Sequence, residues 1–518
     1  MSLRTALTRP ARYGALAAGA LPVLTFPGAG LAVLAWAALV PGLLLMRAAG
    51  TAREAAVRGW WFGAGFILTG MYWLIPSIGP ALPLLAAVFG VLQAPVGLAA
   101  WWLLRGELTL RRSAAALVVV PAVWVSAEFA RSWHALGGPW ALLGASQWEH
   151  PAVLGLASVG GVWLVSGALV AVNTALTIVV LARELRLRLL AGATALAAVL
   201  AGPLAFAAQA APASHGSASV ALVQAGQTPD ERARLEANVR ITRSLAGDPV
   251  DLVVWGESST TADLDRDTAT LDRLAALSRS TGAQLLVGED ARKADGRISK
   301  DAVLVDPSGI VARYRKIRLV PFGEYIPLRS LLGWVAGVSA AAGENRAPGG
   351  SVHLLPVVGR DGRPLPVGTL ICFESAFPDM SRTVARQGAG LIVYQSATST
   401  FQSTWAPAQH ASLGAIRAAE TGRPVVQAAL TGESVAYDAQ GRRLARLTTG
   451  EAGALTVRLA PADPAARTWY VRWGDWVPLS ALAVTAAAGA TALVPRLRGR
   501  RRPGAPAAPP SDLPSARV

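Results

Sequence analysis

Cysteine is almost missing from this chain: Cys372 stands alone in 518 residues, which excludes an internal disulfide. Histidine is sparse too, and His134, His150, His215, His353 and His410 are too scattered to give metal-ligand spacing. No glycine-rich phosphate loop is present, and no segment repeats. The expectation is a protein with neither metal nor cofactor. Charge is also scarce: 15% of residues are charged against 53% apolar, with a mean hydropathy of +0.40, too apolar for a soluble chain of this length.

Long apolar sequence is what the chain has in plenty. From Gly14 to Ala208 polar residues come only in short clusters, and another apolar run follows from Pro478 to Val494. A membrane-crossing helix needs about 20 apolar residues. Seven stretches of that kind fit the first block: Gly14–Pro27, Leu31–Met46, Gly59–Ile78, Ala81–Leu104, Ala114–Phe129, Val153–Leu181 and Leu189–Phe206. With the later run they predict eight transmembrane helices. A signal peptide is the alternative for the first stretch, but six further spans need no cleaved leader.

The formal net charge of +16 orients these spans. Arg4, Arg9 and Arg12 precede the first; Arg47, Arg53 and Arg58 separate the second and third; Arg105, Arg111 and Arg112 the fourth and fifth; Arg183, Arg186 and Arg188 the sixth and seventh. Arg496, Arg498 and Arg500 to Arg502 follow the eighth. Every second connection thus carries the basic excess, as cytoplasmic loops do. Both termini are expected in the cytoplasm, and the large segment between spans seven and eight outside it. Topology accounts for the arginines, so no basic surface is left for nucleic acid. Trp60, Trp61, Trp101, Trp102, Trp469, Trp473 and Trp476 fall at span ends, where indole rings sit among lipid headgroups.

Between about Ser217 and Leu459 the texture changes. Ser219–Gln224, Asp251–Trp255, Gln284–Gly288, Ala302–Asp306, Thr369–Cys372 and Leu391–Tyr394 read as buried strands, and Glu231–Leu245 and Leu271–Ser280 as helices. Asp306-Pro-Ser-Gly309 and Asp438-Ala-Gln-Gly441 read as hairpin turns. The alternation predicts one α/β domain with its functional residues at the carboxyl ends of strands. The expected organisation is a membrane domain over 1–210, an extracytoplasmic α/β domain over 217–460, an eighth membrane helix over 478–495 and a disordered cytoplasmic tail over 499–518 rich in Pro, Ala and Arg.

Cys372 ends the apolar run Val367-Gly-Thr-Leu-Ile-Cys372, where a buried strand breaks into a turn. A lone cysteine is more often a small buried apolar residue than a nucleophile, but two other segments supply polar company. Asp251-Leu-Val-Val-Trp-Gly-Glu257 brings a carboxylate to a strand end, and Arg313-Tyr-Arg-Lys-Ile-Arg318 brings Lys316. Taken singly, Glu257 reads as an ordinary strand-end acid and Lys316 as one of several solvated bases. Together they are complementary: Glu257 takes the thiol proton during attack, and Lys316 holds the negative oxygen of a tetrahedral intermediate. One such donor is worth about 2.7–4 kcal/mol of transition-state stabilisation. Glu324 and Glu374 are further carboxylates suited to orienting Lys316 or capping a loop. Glu128 and Arg131 lie where the fifth span meets the outer face, as a functional pair or an intrahelical one.

The three segments, in this order and spacing, resemble the catalytic triad of the carbon–nitrogen hydrolase (nitrilase) superfamily. The membrane frame resembles the apolipoprotein N-acyltransferase family over nearly the whole chain apart from the tail. Its matching segments are Phe62-Gly-Ala-Gly65, Tyr72-Trp73, Ser77-Ile78, Pro121-Ala-Val-Trp124 with Glu128 and Arg131, Gly138-Pro-Trp140, Gly144-Ala-Ser-Gln147, and Tyr470 with Gly474-Asp-Trp476. The resemblance implies an αββα nitrilase-like sandwich standing on eight membrane helices outside the cytoplasmic (inner) membrane. It further implies that Cys372 takes an acyl chain from a phospholipid as a thioester. The chain then passes to the α-amino group of the N-terminal diacylglyceryl-cysteine of a lipoprotein. Glu257 would be the base, Lys316 the oxyanion stabiliser, and Glu324, Glu374 and Phe373 supporting residues. The implied partners are phospholipid, a diacylated lipoprotein and the bilayer itself.

This chain departs from the family at Phe373, where Tyr is common, at Gln395–Phe401, where many members have Asn-Asp-Ala-Trp-Phe-Gly, and at Gln227–Leu235, which lacks a frequent tryptophan. Two other readings remain at this stage: a membrane-anchored amidase acting on a small amide, and a catalytically idle membrane binding protein. Eight spans are more than an anchor needs, and the intact Glu257, Lys316 and Cys372 are more than a binding protein needs.

Overall fold

The computed structural model describes residues 3–208, 216–294, 296–337 and 345–500. The tail expected to be disordered lies, from 501 onward, outside the described residues.

The N-terminal half is helical. Among the described residues four helices are long and apolar enough to cross a membrane: Ala81–Leu104, Leu110–Arg131, Pro151–Leu181 and Leu185–Ala208. A fifth candidate is the pair Ala52–Gly70 and Tyr72–Ile78, bent by 57°. The expected eight spans are therefore not all matched by helices of spanning length. Helix Leu3–Ala20 gives way to the 3-10 turn Leu21–Thr25 at Pro22, and Pro41 divides the next stretch into Ala32–Trp36 and Val40–Arg47. Proline removes a backbone donor, so each restart falls at one. A shorter apolar helix, Trp476–Ala492, stands at the expected last span.

These helices pack through small residues, as is general where no hydrophobic force separates protein from lipid. A Cβ on Gly19 would come within 2.0 Å of the Phe62 carbonyl oxygen, and one on Gly65 within 2.0 Å of that of Leu16. The two glycines let helices Leu3–Ala20 and Ala52–Gly70 touch backbone to backbone.

The C-terminal half holds twelve strands among the described residues. They are β1 (Ala218–Gln224), β2 (Leu252–Trp255), β3 (Gln284–Arg292), β4 (Ile298–Asp306), β5 (Gly309–Arg315), β6 (Leu354–Val358), β7 (Pro364–Ile371), β8 (Leu391–Ser396), β9 (Val425–Ala429), β10 (Ser434–Tyr437), β11 (Arg443–Leu447) and β12 (Gly453–Leu459). They form two six-stranded sheets, ordered β12-β1-β2-β3-β4-β5 and β11-β10-β9-β8-β7-β6. Within each sheet three central strands are parallel, β1-β2-β3 and β7-β8-β9, with antiparallel flanks. Parallel neighbours require crossovers, and helices Glu231–Arg243, Thr268–Thr281, Pro378–Gln387 and Ala406–Thr421 supply them. Side chains alternate along β1: Ala221 and Val223 pack on Val239, Leu274 and Leu277 of the outer helices, whereas Val220 and Leu222 enter the core shared with the second sheet. The layers are helices, sheet, sheet, helices.

The last helical layer rests on the membrane half. Helix Pro151–Leu181 breaks at Gly160 and Gly161, where Gly161 has φ +70°, and the break frees the Val162 N–H. Glu420, buried in helix Ala406–Thr421, accepts that N–H at 2.8 Å and pairs with Arg417 at 2.9 Å. Glu420→Ala should therefore leave Arg417 buried without a counter-charge and lower stability by about 3–5 kcal/mol. Denaturant unfolding of the full chain in detergent would measure it, and a change below about 1 kcal/mol would show that the contact carries no weight.

Candidate active site

Glu257 lies just past β2, Lys316 immediately past β5 and Cys372 immediately past β7. β5 runs antiparallel to β4 and β4 to β3, so β5 points the same way as β3 and β2. The carboxyl ends of β2 and β5 consequently share one edge of the first sheet, and the end of β7 meets them from the second.

Three residues expected from sequence are brought together there. Lys316 Nζ donates to Glu257 Oε1 at 3.0 Å and to Glu324 Oε1 at 2.8 Å. The Cys372 thiol stands beside the Glu257 carboxylate and the Ala397 backbone, close enough for both to act on its charge. Cys372 has φ +49°, a left-handed conformation that a side chain rarely adopts. The strand therefore turns sharply at the sulfur.

Glu374 holds that turn. Its carboxylate, fully buried, accepts the Ile371 N–H at 2.8 Å, the Ile317 N–H at 2.7 Å, the Arg318 N–H at 3.0 Å and the Tyr314 hydroxyl at 2.9 Å. It thereby ties the Lys316 segment to the Cys372 segment. Glu324 likewise accepts the Val320 N–H at 2.8 Å and fixes the turn beyond Lys316. Phe373 stacks on Trp140 at 6.4 Å and meets Phe377 edge-to-face at 4.9 Å.

The electrostatics follow from burial. Burial pushes the Cys372 thiol up to about 12; the negative Glu257 adds to this and Lys316 opposes it. Burial alone would raise Glu257, yet Lys300 and Lys316 outweigh it and hold the carboxyl at about 2. Lys316 is raised well above its ordinary value: burial would lower it, but Glu257, Glu324 and the thiol prevail. At neutral pH the resting site is a thiol beside a carboxylate, not a thiolate. Any attack by this sulfur would require proton transfer to accompany it rather than precede it.

Sequence reasoning missed several neighbours. Lys300 Nζ stands 3.3 Å from Glu257 Oε1. His410, treated as one of the scattered histidines, contacts the Cys372 carbonyl oxygen at 3.1 Å and the Ser375 hydroxyl at 3.2 Å through Nε2. Trp140 reaches the site because Glu128 Oε1 accepts the Leu143 N–H at 2.7 Å while Arg131 donates to the carbonyls of Trp140 and Ala141. Glu128 and Arg131 therefore act on the loop that follows their helix, not only on each other. In the departing segment, Gln395 donates to the Trp255 and Leu286 carbonyls, and the Ser396 carbonyl accepts the Glu257 N–H at 3.3 Å. From the other departing stretch, Arg234 donates to the Ser258 carbonyl at 2.9 Å. Among the described residues no group of three or more His, Cys, Asp or Glu is disposed to hold a metal ion.

Cys372 also faces an apolar cavity. Trp73, Trp140, Phe373, Phe401 and His410 line it with Cys372, and so do Met71, Leu74, Ile78, Leu85 and Phe89 of the helical half. Trp73 packs edge-to-face on Phe401 at 5.2 Å, and Tyr72 accepts the Trp405 N–H at 3.0 Å, closing the two halves around it.

A free cysteine is half-ionised near pH 8.5. Cys372 should instead be alkylated by neutral iodoacetamide at a rate that keeps climbing beyond about pH 10. Mass spectrometry of the labelled chain reads this, and a plateau near about pH 8.5 would contradict the buried, acid-flanked thiol.

Two family models match the chain: apolipoprotein N-acyltransferase N-terminal domain over residues 18–175 and carbon-nitrogen hydrolase over residues 219–466. The second coincides with the two-sheet domain, which has the nitrilase-like fold. Curated relatives named apolipoprotein N-acyltransferase match almost end to end. That of Geobacter metallireducens is 31% identical over 91% of this chain and 94% of its own, that of Pseudomonas putida 31% over 91% and 95%, and that of Azotobacter vinelandii 32% over 92% and 95%. With both halves matched in one continuous alignment, the chain belongs to the apolipoprotein N-acyltransferase family.

Proposed function

We propose that this protein moves a fatty acyl chain from a membrane phospholipid to Cys372, and from there to the α-amino group of the N-terminal diacylglyceryl-cysteine of a lipoprotein. One observation carries the reading: the only thiol of the chain lines an apolar cavity that residues of the membrane half also wall. A small soluble amide has no use for such walls, whereas an acyl chain buries about 0.8 kcal/mol per CH₂ in them.

In the first stage Glu257 takes the thiol proton as sulfur attacks the ester carbonyl. Lys316 neutralises the oxyanion, the C–O bond breaks, and Glu257 returns the proton to the departing glycerol oxygen. In the second stage the acceptor amine attacks the thioester, the C–S bond breaks, and the sulfur leaves with a proton relayed through Glu257. The apolar lining excludes water, which favours aminolysis over hydrolysis.

The same reading assigns eight helical passes, with helix Leu3–Ala20, the bent pair and the shorter apolar helices Ala32–Arg47 and Trp476–Ala492 completing the set. It divides the chain into membrane domain 1–210, catalytic domain 217–460, last pass 478–495 and tail 499–518. The catalytic domain lies outside the inner membrane and both termini in the cytoplasm. Supporting this, basic groups gather at one end of the helices. Arg12 pairs with Glu54 at 2.6 Å, Arg58 with Glu54 at 3.2 Å, and Arg47 donates to the Leu104 carbonyl at 2.6 Å. Glu54 begins the helix whose other end leads to Tyr72 and the catalytic half.

Incubation with phospholipid and a diacylated lipopeptide should yield an acyl-thioester on Cys372 and then N-acylated peptide. Cys372→Ala should form neither, and Cys372→Ser should be nearly as inactive because an alkoxide is far harder to generate. Ammonia release from small amides without N-acylation would favour an amidase, and full N-acylation by either variant would remove Cys372 as nucleophile. A membrane-impermeant thiol label should reach a cysteine introduced after Asp290 from outside and miss one at Gly499; the reverse pattern would invert the topology.

A further inference from the structure

Lys300 is not part of the motif that carries Lys316, yet its ammonium stands at the heart of the same charge cluster. It projects from β4, where it lies opposite Asp290 of β3, and its carbonyl accepts the Lys316 N–H at 2.9 Å. Its Nζ donates to the Ser258 hydroxyl at 2.8 Å and lies 3.1 Å from Asp290 Oδ2, 3.3 Å from Glu257 Oε1 and 3.9 Å from Glu324 Oε1. Ser258, next to Glu257, has φ +56° and turns its hydroxyl between Lys300 and Asp290. Asp290 is held from its other oxygen by Arg346 at 2.9 Å.

Two ammonium groups thus share one oxygen of Glu257. The cluster balances: Glu257, Glu324 and Asp290 against Lys316, Lys300 and Arg346. Lys316 spends two of its three N–H donors on Glu257 and Glu324, so as it engages a substrate oxyanion its hold on Glu257 weakens. Lys300 has no such second duty, since Ser258 and Asp290 anchor it behind the carboxylate. Beyond the lysines, Glu257 faces the Cys372 thiol and feels His410, which burial holds low and so neutral.

We propose that Lys300 is a positioning residue for the acyl-transfer reaction: it keeps Glu257 ionised and oriented toward Cys372 while Lys316 turns to the oxyanion. The inference rests on the proposed acyl transfer and assigns a role within that same site. It also bears on proton return. Once Glu257 has taken the thiol proton and the C–S bond has formed, the Lys300 charge makes the carboxyl a stronger acid. The proton then passes more readily to the glycerol oxygen as the ester C–O bond breaks.

The test uses the full chain in vesicles of phosphatidylethanolamine and phosphatidylglycerol, with thioester formation on Cys372 followed by intact-protein mass spectrometry across pH. Lys300→Met should slow thioester formation by about tenfold or more at neutral pH, with the half-saturating phospholipid content unchanged. Removing a cation raises the carboxyl of Glu257. The acid limb of the rate profile should accordingly move to higher pH by about one unit, the rate falling as pH drops through it. Lys300→Gln, which keeps a donor but not the charge, should show the same moved limb, and Lys300→Arg should not.

A Lys300→Met rate within about twofold of the parent, or a uniform loss with the limb in place, overturns the proposal. Failure of both neutral variants to fold makes Lys300 structural and overturns it too. A parent protein that forms no thioester at all overturns the acyl-transfer reading instead.

Discussion

A single buried carboxylate sets the register of the two sheets. Glu374 collects N–H groups from the end of β7 and from the segment after β5, which lie far apart in the chain and in different sheets. Burial raises its own affinity for a proton, and the ring of N–H donors works against that rise. A carboxylate with that many aligned donors is costly to move, because each freed N–H would be buried without a partner. The sharp turn at Cys372 and the placement of Lys316 both descend from it, and the sulfur can meet Glu257 only because neither segment drifts.

Much of this was legible in the sequence. Glu257 and Cys372 each follow an apolar β-type run, and Lys316 follows the strand begun by the Asp306–Gly309 turn; a residue just past a strand sits at a sheet edge. The strands around them were visible for the same reason. β9 and β12 were not, since five to seven residues without clear alternation carry too little period, and β10 and β11 showed only through the Asp438–Gly441 turn that joins them. Lys300 was hidden in Arg297-Ile-Ser-Lys-Asp301, a polar stretch that reads as solvated. Only the pairing of β3 with β4 turns it inward. His410 belongs to a helix that sequence did not mark, and its approach to the Cys372 carbonyl depends on how that helix crosses β9 and β10.

The membrane half shows the limits of counting apolar residues. Composition located every apolar block, but Pro22, Pro41 and Pro76 decide where helices restart, and a hydropathy window averages across them. The interrupted segments are also informative. The bent stretch Tyr72–Ile78 supplies Trp73 to the thiol cavity and Tyr72 to the Trp405 backbone, so the least regular part of the helical half reaches the chemistry. Trp140 arrives on another irregular stretch, held by Glu128 and Arg131. Irregular backbone at membrane depth is tolerated where it is buried in protein or lines a cavity.

The break at Gly160 and Gly161, plugged by Glu420, fastens a helix of the catalytic half to the middle of a membrane helix rather than to its tip. The catalytic half is thereby tied to that helix by a buried side chain rather than by the connecting chain alone. On the proposed acyl transfer, a bilayer that is too thick or too thin would itself have to deform around the protein, so membrane thickness would become a variable that tunes which ester bonds come level with the thiol.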